Sequence, residues 1–208
     1  MRANRVAQSM ALVMVACSAE RGGVAGDGTG QAALEKVVAS SFRARGQAGL
    51  DRLQQSEMQR ICSRAPTGQL PADLQQRLQR EALQSVRFPE DGRWLGKWQQ
   101  GEKIAQSGTG MQYSDAADAP RGGGCYGCHQ LSGTEIAYGT IGPSLYRYLE
   151  RKGAGSDAMQ RAWTQIWNAH AYNACSVMPR FGDAGILTPE QIRDVMALLF
   201  DPQSPVNR

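Results

Sequence analysis

The sequence predicts an all-α fold. Apolar residues recur at spacings of three and four, no stretch alternates as a half-buried strand would, and a T-x-x-Q capping box with a following proline marks one helix start outright. With 208 residues, 41% of them apolar, the chain is long enough for one ordinary domain plus an appendage. It contains no run of about eighteen unbroken apolar residues that would read as a membrane span.

The elements follow in order. Arg2 and Arg5 precede the apolar run Val6 to Ala16, so residues 1–16 read as an export signal. Its end, "MVACS", resembles the lipobox of bacterial lipoproteins, with Cys17 the residue to be acylated; cleavage at a small residue such as Ala19 is the alternative. The Gly-rich, polar "SAERGGVAGDGTG" that follows cannot bury enough apolar surface to order itself, and residues 17–46 read as a flexible tether and linker. Two amphipathic stretches, about 47–64 and 71–86, carry Leu50, Leu53, Met58 and Ile61, then Leu74, Leu78 and Leu83; with the residues up to 92 they form an N-terminal helical arm. The main domain, 93–208, opens with a helix over about 94–107 in which Gly101 signals close approach of another backbone. Met159, Trp163, Ile166, Trp167 and His170 mark a second helical face. Thr188, Pro189 and Gln191 then cap a last helix whose stripe is Ile192, Val195, Met196, Leu199 and Phe200, ended by Pro202.

Charge narrows the partners. The formal charge is +4, but Arg2 and Arg5 lie in the signal and no acidic residue does, so export leaves +2. No basic cluster with interleaved aromatics occurs, and a nucleic-acid partner is excluded on that ground. "RLQQSEMQR" and "QQRLQREALQ" are solvated helix faces.

Cys125, Cys128 and His129 stand as C-x-x-C-H inside "GGGCYGCHQL". This spacing fits covalent attachment of haem c, a thioredoxin-like redox pair, or half of a zinc site. A thioredoxin-like pair wants a βαβ setting, which the sequence lacks. Zinc needs two more ligands, and His170, Cys62 and Cys175 stand in no second ligand pair. For haem c the arrangement is economical: on one helical turn the two thiols meet the vinyl groups and the imidazole of His129 faces the iron. One covalent haem c is the expected cofactor.

An iron held by one histidine wants a sixth ligand. Met159 and Met196 lie in helical patterns as packing residues. Met178 lies in "NACSVMPRFG", where Pro179 and Gly182 break regular structure and a loop can fold over the open haem face. His170 is the rival, though its helical spacing favours packing or capping. Of the five cysteines, Cys17 goes to processing and two to haem, which leaves Cys62 and Cys175 as a disulfide or as two separately buried thiols.

The region from Trp94 to Pro202 resembles the class I cytochromes c: C-x-x-C-H, then "GPSL", a methionine loop and a C-terminal helix. More closely, "GTIGPSLYRY", "YNACSVMPRFG" and "ILTPEQIRDVMALLFDPQSPVN" resemble the SoxX family, monohaem subunits of the bacterial thiosulfate-oxidising SoxAX complex. The resemblance implies a class I cytochrome c domain over 93–208, with Cys125 and Cys128 the thioether cysteines and His129 and Met178 the axial ligands. Pro143 becomes the residue whose carbonyl holds the outer N–H of His129. It also implies partners: a SoxA-type cytochrome as heterodimer, the SoxYZ carrier, and a soluble cytochrome acceptor. Such a complex acts as an L-cysteine S-thiosulfotransferase, joining thiosulfate to a carrier cysteine with release of two electrons. The sulfur chemistry belongs to the SoxA haem, so this chain receives electrons. A free-standing periplasmic electron shuttle would use the same haem residues. Export places either protein in the periplasm, with a membrane tether if Cys17 is lipidated.

Overall fold

The computed structural model describes residues 28–65 and 69–208. Every regular element among them is helical, and the one β-type pairing is an isolated bridge between Arg45 and Ala48. The chain divides into two units, the second being Arg43–Arg208; the first is described here by Gly28–Phe42. The export signal and Cys17 lie outside the described residues.

Helix α1, Gly28–Ser41, occupies part of the stretch expected to be a tether. The glycine-rich composition stops at Gly30, and "QAALEKVVASS" offers alanine, leucine, glutamate and lysine, all good helix formers. Gln31 donates to Glu35 one turn on, 2.9 Å away. Composition averaged across the segment hid this helix.

In the second unit the arm is more broken than its periodicity suggests. A short 3₁₀ turn, Leu50–Leu53, precedes α2, Glu57–Arg64. The chain restarts because Ser56 and Gln59 form a capping box, each side chain taking the other's backbone N–H. Helix α3, Ala72–Gln84, follows and buries Leu78 and Ala82. Helix α4 runs Trp98–Gln106, starting later than expected because Gly96 N–H donates to the Arg193 carbonyl and Lys97 N–H to the Asp194 carboxylate, which holds that lead-in to the last helix. Then come α5, Tyr148–Lys152, α6, Ser156–Trp167, and α7, Pro189–Phe200. Thr188 and Gln191 cap α7 in the anticipated box with Pro189 inside the first turn.

The core lies where α4 and α6 meet α7. Trp163, Ile192 and Met196 have no accessible surface there, and Ile104, Ile166, Trp167, Leu198 and Phe200 complete it. Gly101 allows α4 to touch α7: a Cβ at this position would collide with the Asp194 backbone carbonyl. Met196 is a packing residue, and Met159 is half-buried against the same core.

The arm is built into this core. The indole N–H of Trp163 donates to the Arg87 carbonyl and that of Trp167 to the Ser85 carbonyl, both at 2.9 Å, while the Asn168 amide donates to the Ser85 hydroxyl at 2.9 Å. Three buried donors of α6 and its end are thus satisfied by the chain just after α3, and leaving any of them unpaired costs on the order of 1–3 kcal/mol. At the other end of the arm, Gly46 lies against the Tyr113 backbone, Arg45 stacks over the Tyr113 ring and Gln47 donates to the carbonyls of Asp115 and Ala116.

Candidate cofactor site

Cys125 begins a 3₁₀ turn, Cys125–Gly127, and the N–H groups of Cys128 and His129 both donate to its carbonyl, at 3.0 and 2.9 Å. The three residues of the motif therefore share one helical turn. Three glycines place that turn. Gly122 has the Ser107 carbonyl where a Cβ would be, Gly123 N–H donates to the Ile104 carbonyl at 2.8 Å, and Gly124 takes a left-handed conformation (φ +56°) while donating to the Ser107 carbonyl at 2.7 Å. The end of α4 thereby supplies acceptors that hold the motif.

Residues 139–145 return beneath the motif. Gly139, Gly142 and Leu145 donate to the carbonyls of Tyr126, Cys128 and Gln130 at 3.0, 2.8 and 2.7 Å. This pairing puts the Pro143 carbonyl 2.7 Å from Nδ1 of His129. The Nδ1–H donates there, which leaves the Nε2 lone pair free for a metal. A Cβ on Gly142 would strike the imidazole ring, so the "GP" pair serves His129 twice: the glycine leaves room for the ring and the proline carbonyl orients it.

The distal loop is assembled differently. Cys62 on α2 is bridged to Cys175, 113 residues later, as cysteine parity suggested. His170, buried, donates through Nε2 to the Ser176 carbonyl at 3.0 Å, and the Ser176 hydroxyl accepts the Met178 N–H at 3.2 Å. Burial holds the His170 imidazole below its ordinary value, against an opposing pull from the Ser176 carbonyl. His170 pins the loop through Nε2, while its Nδ1 is buried with no hydrogen-bond partner among the described residues. On the other flank, Gly182 and Asp183 donate to the Trp167 carbonyl, and Arg180 pairs with Asp183 at 3.0 Å. Gln79 of α3 donates to the Tyr172 carbonyl at 2.8 Å. Met178 is half-buried and packs against the same core as Cys125 and Leu145.

The residues present fit a c-type haem. Cys125 and Cys128 are unbridged thiols, His129 keeps one uncommitted ring nitrogen, and a thioether stands on the distal loop. They do not suit a thioredoxin-like pair: burial pushes the Cys125 thiol up to about 11, whereas reactive thiols are depressed. Among the described residues no group of three or more His, Cys, Asp or Glu side chains is placed to hold a metal ion, so a zinc reading finds no further ligands there. Nor is any described helix long and apolar enough to cross a membrane.

The cytochrome c family matches residues 122–200, a span that takes in the motif, the "GPSL" return, the methionine loop and α7. A protein of Aquifex aeolicus (strain VF5) bearing the description "Uncharacterized lipoprotein" is 36% identical over 160 residues, covering 74% of this chain and 73% of that one. This chain belongs to the cytochrome c family. Its helical fold is that of a class I cytochrome c, and membership implies a covalently bound c-type haem and electron transfer. At 160 residues the likeness to the Aquifex protein is longer than the span 122–200, so it takes in chain outside the cytochrome c match.

Sequence reasoning missed the residues that hold the distal loop. Gln79, Ser85 and Arg87 act through a side-chain amide and main-chain carbonyls, and nothing in their residue types announces it. The half-buried Gln165 of α6, whose amide donates to the Met178 sulfur, is likewise unmarked by its residue type.

Proposed function

We propose that this chain is the monohaem electron-transfer subunit of a SoxAX-type complex. In this reading Cys125 and Cys128 tether the haem by thioether bonds, His129 and Met178 are its axial ligands, and Pro143 fixes the tautomer of His129. Bound there, a c-type haem supplies a reversible one-electron couple. The residues around it set the direction of flow, because a neutral thioether ligand favours the reduced state relative to a thiolate-ligated haem.

The observation that carries this reading is the hydrogen bond from His129 to the Pro143 carbonyl within the "GTIGPSLYRY" segment, one of those that resemble SoxX. The reaction served is oxidative: a sulfur–sulfur bond forms between thiosulfate and a SoxY cysteine, the thiol proton leaves, and two electrons pass through the SoxA-type partner to this chain, one at a time, and on to a soluble cytochrome. The chain acts after export, held at the membrane through an acylated Cys17; the name of the Aquifex relative supports that tether.

Purification of the native protein tests the proposal. It should co-purify with a larger cytochrome, and its haem should become reduced when thiosulfate and the carrier protein are added together. A protein that purifies alone and stays oxidised under those conditions is instead a free-standing electron shuttle.

A further inference from the structure

The Cys62–Cys175 bridge lies in the wall of a cleft of about 380 Å³ that is open to solvent. We propose that it is a thiol-exchange site, at which a dithiol enters the cleft, opens the bridge and so weakens the ligation of Met178. The inference rests on Met178 being the distal ligand.

The geometry gives the reagent a way in. Helix α2 forms one wall of the cleft with Met58, Gln59 and Cys62, and the distal loop forms the other with Cys175, Ser176 and Val177. Both cysteines are half-buried, and no carboxylate among the described lining residues stands there to repel a thiolate. Access to the sulfurs and the anionic character of the attacking thiol together govern the rate of exchange. One product is also provided for. The Cys62 sulfur lies 3.4 Å from the Ala174 carbonyl oxygen; within the bridge it has no proton to give, but as a free thiol it donates there from where it stands.

In the exchange, a thiolate of the dithiol attacks Cys175 Sγ, the sulfur–sulfur bond to Cys62 breaks, and Cys62 leaves as a thiolate that takes a proton from water. The second thiol of the reagent loses its proton and attacks the reagent sulfur of the mixed disulfide. Cys175 is expelled and protonated, so the dithiol is oxidised and the bridge reduced by two electrons. The main hold on α2 is then gone. That helix buries no side chain, and its other tie beyond its own segment, among the described residues, is the exposed ion pair of Glu57 with Arg77 at 3.1 Å. The loop keeps the hydrogen bond of His170 to the Ser176 carbonyl and those of Gly182 and Asp183 to Trp167, but loses its covalent fixing three residues ahead of Met178.

The test incubates the holoprotein with graded ratios of reduced to oxidised dithiothreitol, without denaturant. Thiols are then blocked with iodoacetamide and the iron is returned to the ferric state with ferricyanide. Peptide mapping counts the open bridges, while the near-red iron–sulfur band and the rate at which cyanide displaces the distal ligand report the ligation. The expected result is that Cys62 and Cys175 become alkylated in the folded protein, with a weaker band, several-fold faster displacement and unchanged haem attachment. Met58→Trp, which fills the cleft, should slow the opening several-fold; should that variant not accumulate, Ser63→Trp on the same cleft takes its place. In Cys62→Ser the reagent should change neither band nor displacement. A bridge that opens only on unfolding, that opens with band and displacement unaltered, or that opens as fast with the cleft filled overturns this inference alone, as does a response in Cys62→Ser. A wild-type band that survives Met178→Ala overturns the ligation reading and the inference with it.

Discussion

The proximal and distal sides of the site are held by opposite kinds of contact. On the proximal side, the C-x-x-C-H turn and the return through Pro143 bind each other within residues 122–145, with help from the end of α4 and the residues just after it and from Arg151, which donates to the Ser144 carbonyl. On the distal side, the methionine loop is pinned by a bridge spanning 113 residues, and the helix beside it is tied down by carbonyls of Ser85 and Arg87. Local contacts are written in local sequence and long-range contacts are not. On the proposed ligation the difference also separates two properties: attachment of the haem depends on the near contacts, whereas the quality of its sixth ligand depends on the arm.

The strongest way to break the proximal side without touching a ligand is Gly142→Val. The added side chain meets the imidazole, so His129 cannot keep both its place and its bond to Pro143. Holoprotein with normal low-spin ligation should fall to background in an absorption spectrum, while the Cys62–Cys175 bridge, mapped on unreduced peptides, should still form.

Next in size is Cys62→Ser, which strikes the distal side alone. Closing so long a loop contributes up to about 4–5 kcal/mol in the chain-entropy account. Thermal unfolding should shift down accordingly, and the iron–sulfur band should weaken. The mass of the polypeptide should still include covalent haem, because Cys125 and Cys128 are untouched. Loss of attachment in this variant would show that the two sides are not separable.

The smallest effect is a pH dependence from His170. Its folded-state value lies below the ordinary 6.5 because burial disfavours the charged ring. The unfolded chain therefore takes up a proton at higher pH than the folded chain does. The contribution of neutral His170 is complete above that range and is lost as pH falls through it, by at most about 1.4 kcal/mol per pH unit. Between pH 7 and 5 the wild type should lose stability more steeply than His170→Gln, as measured by denaturant unfolding. Parallel slopes would remove His170 from the set of distal pins.

The same contrast explains what could be read from the sequence. The proximal motif, the capping box of α7 and the close approach at Gly101 were legible because each is a matter of residue type at fixed short spacing. The Cys62–Cys175 bridge was legible only by counting, since two cysteines remained once the others had roles. The ties of Trp163 and Trp167 to the arm were not legible: a tryptophan shows its need for a partner, but a backbone carbonyl 76 or 82 residues away carries no mark. Helix α1 was hidden for a different reason, a glycine-rich prefix that lowered the average of a segment whose second half is a good helix.

The ligation itself is tested most directly by the near-red charge-transfer band of ferric iron bound to methionine sulfur. The account predicts the band in the wild-type holoprotein, its complete loss in Met178→Ala, and its survival in His170→Ala, where the loop is loosened but the ligand remains. A band that persists without Met178, together with loss of normal low-spin ligation in His170→Ala, would contradict it and make His170 the distal ligand.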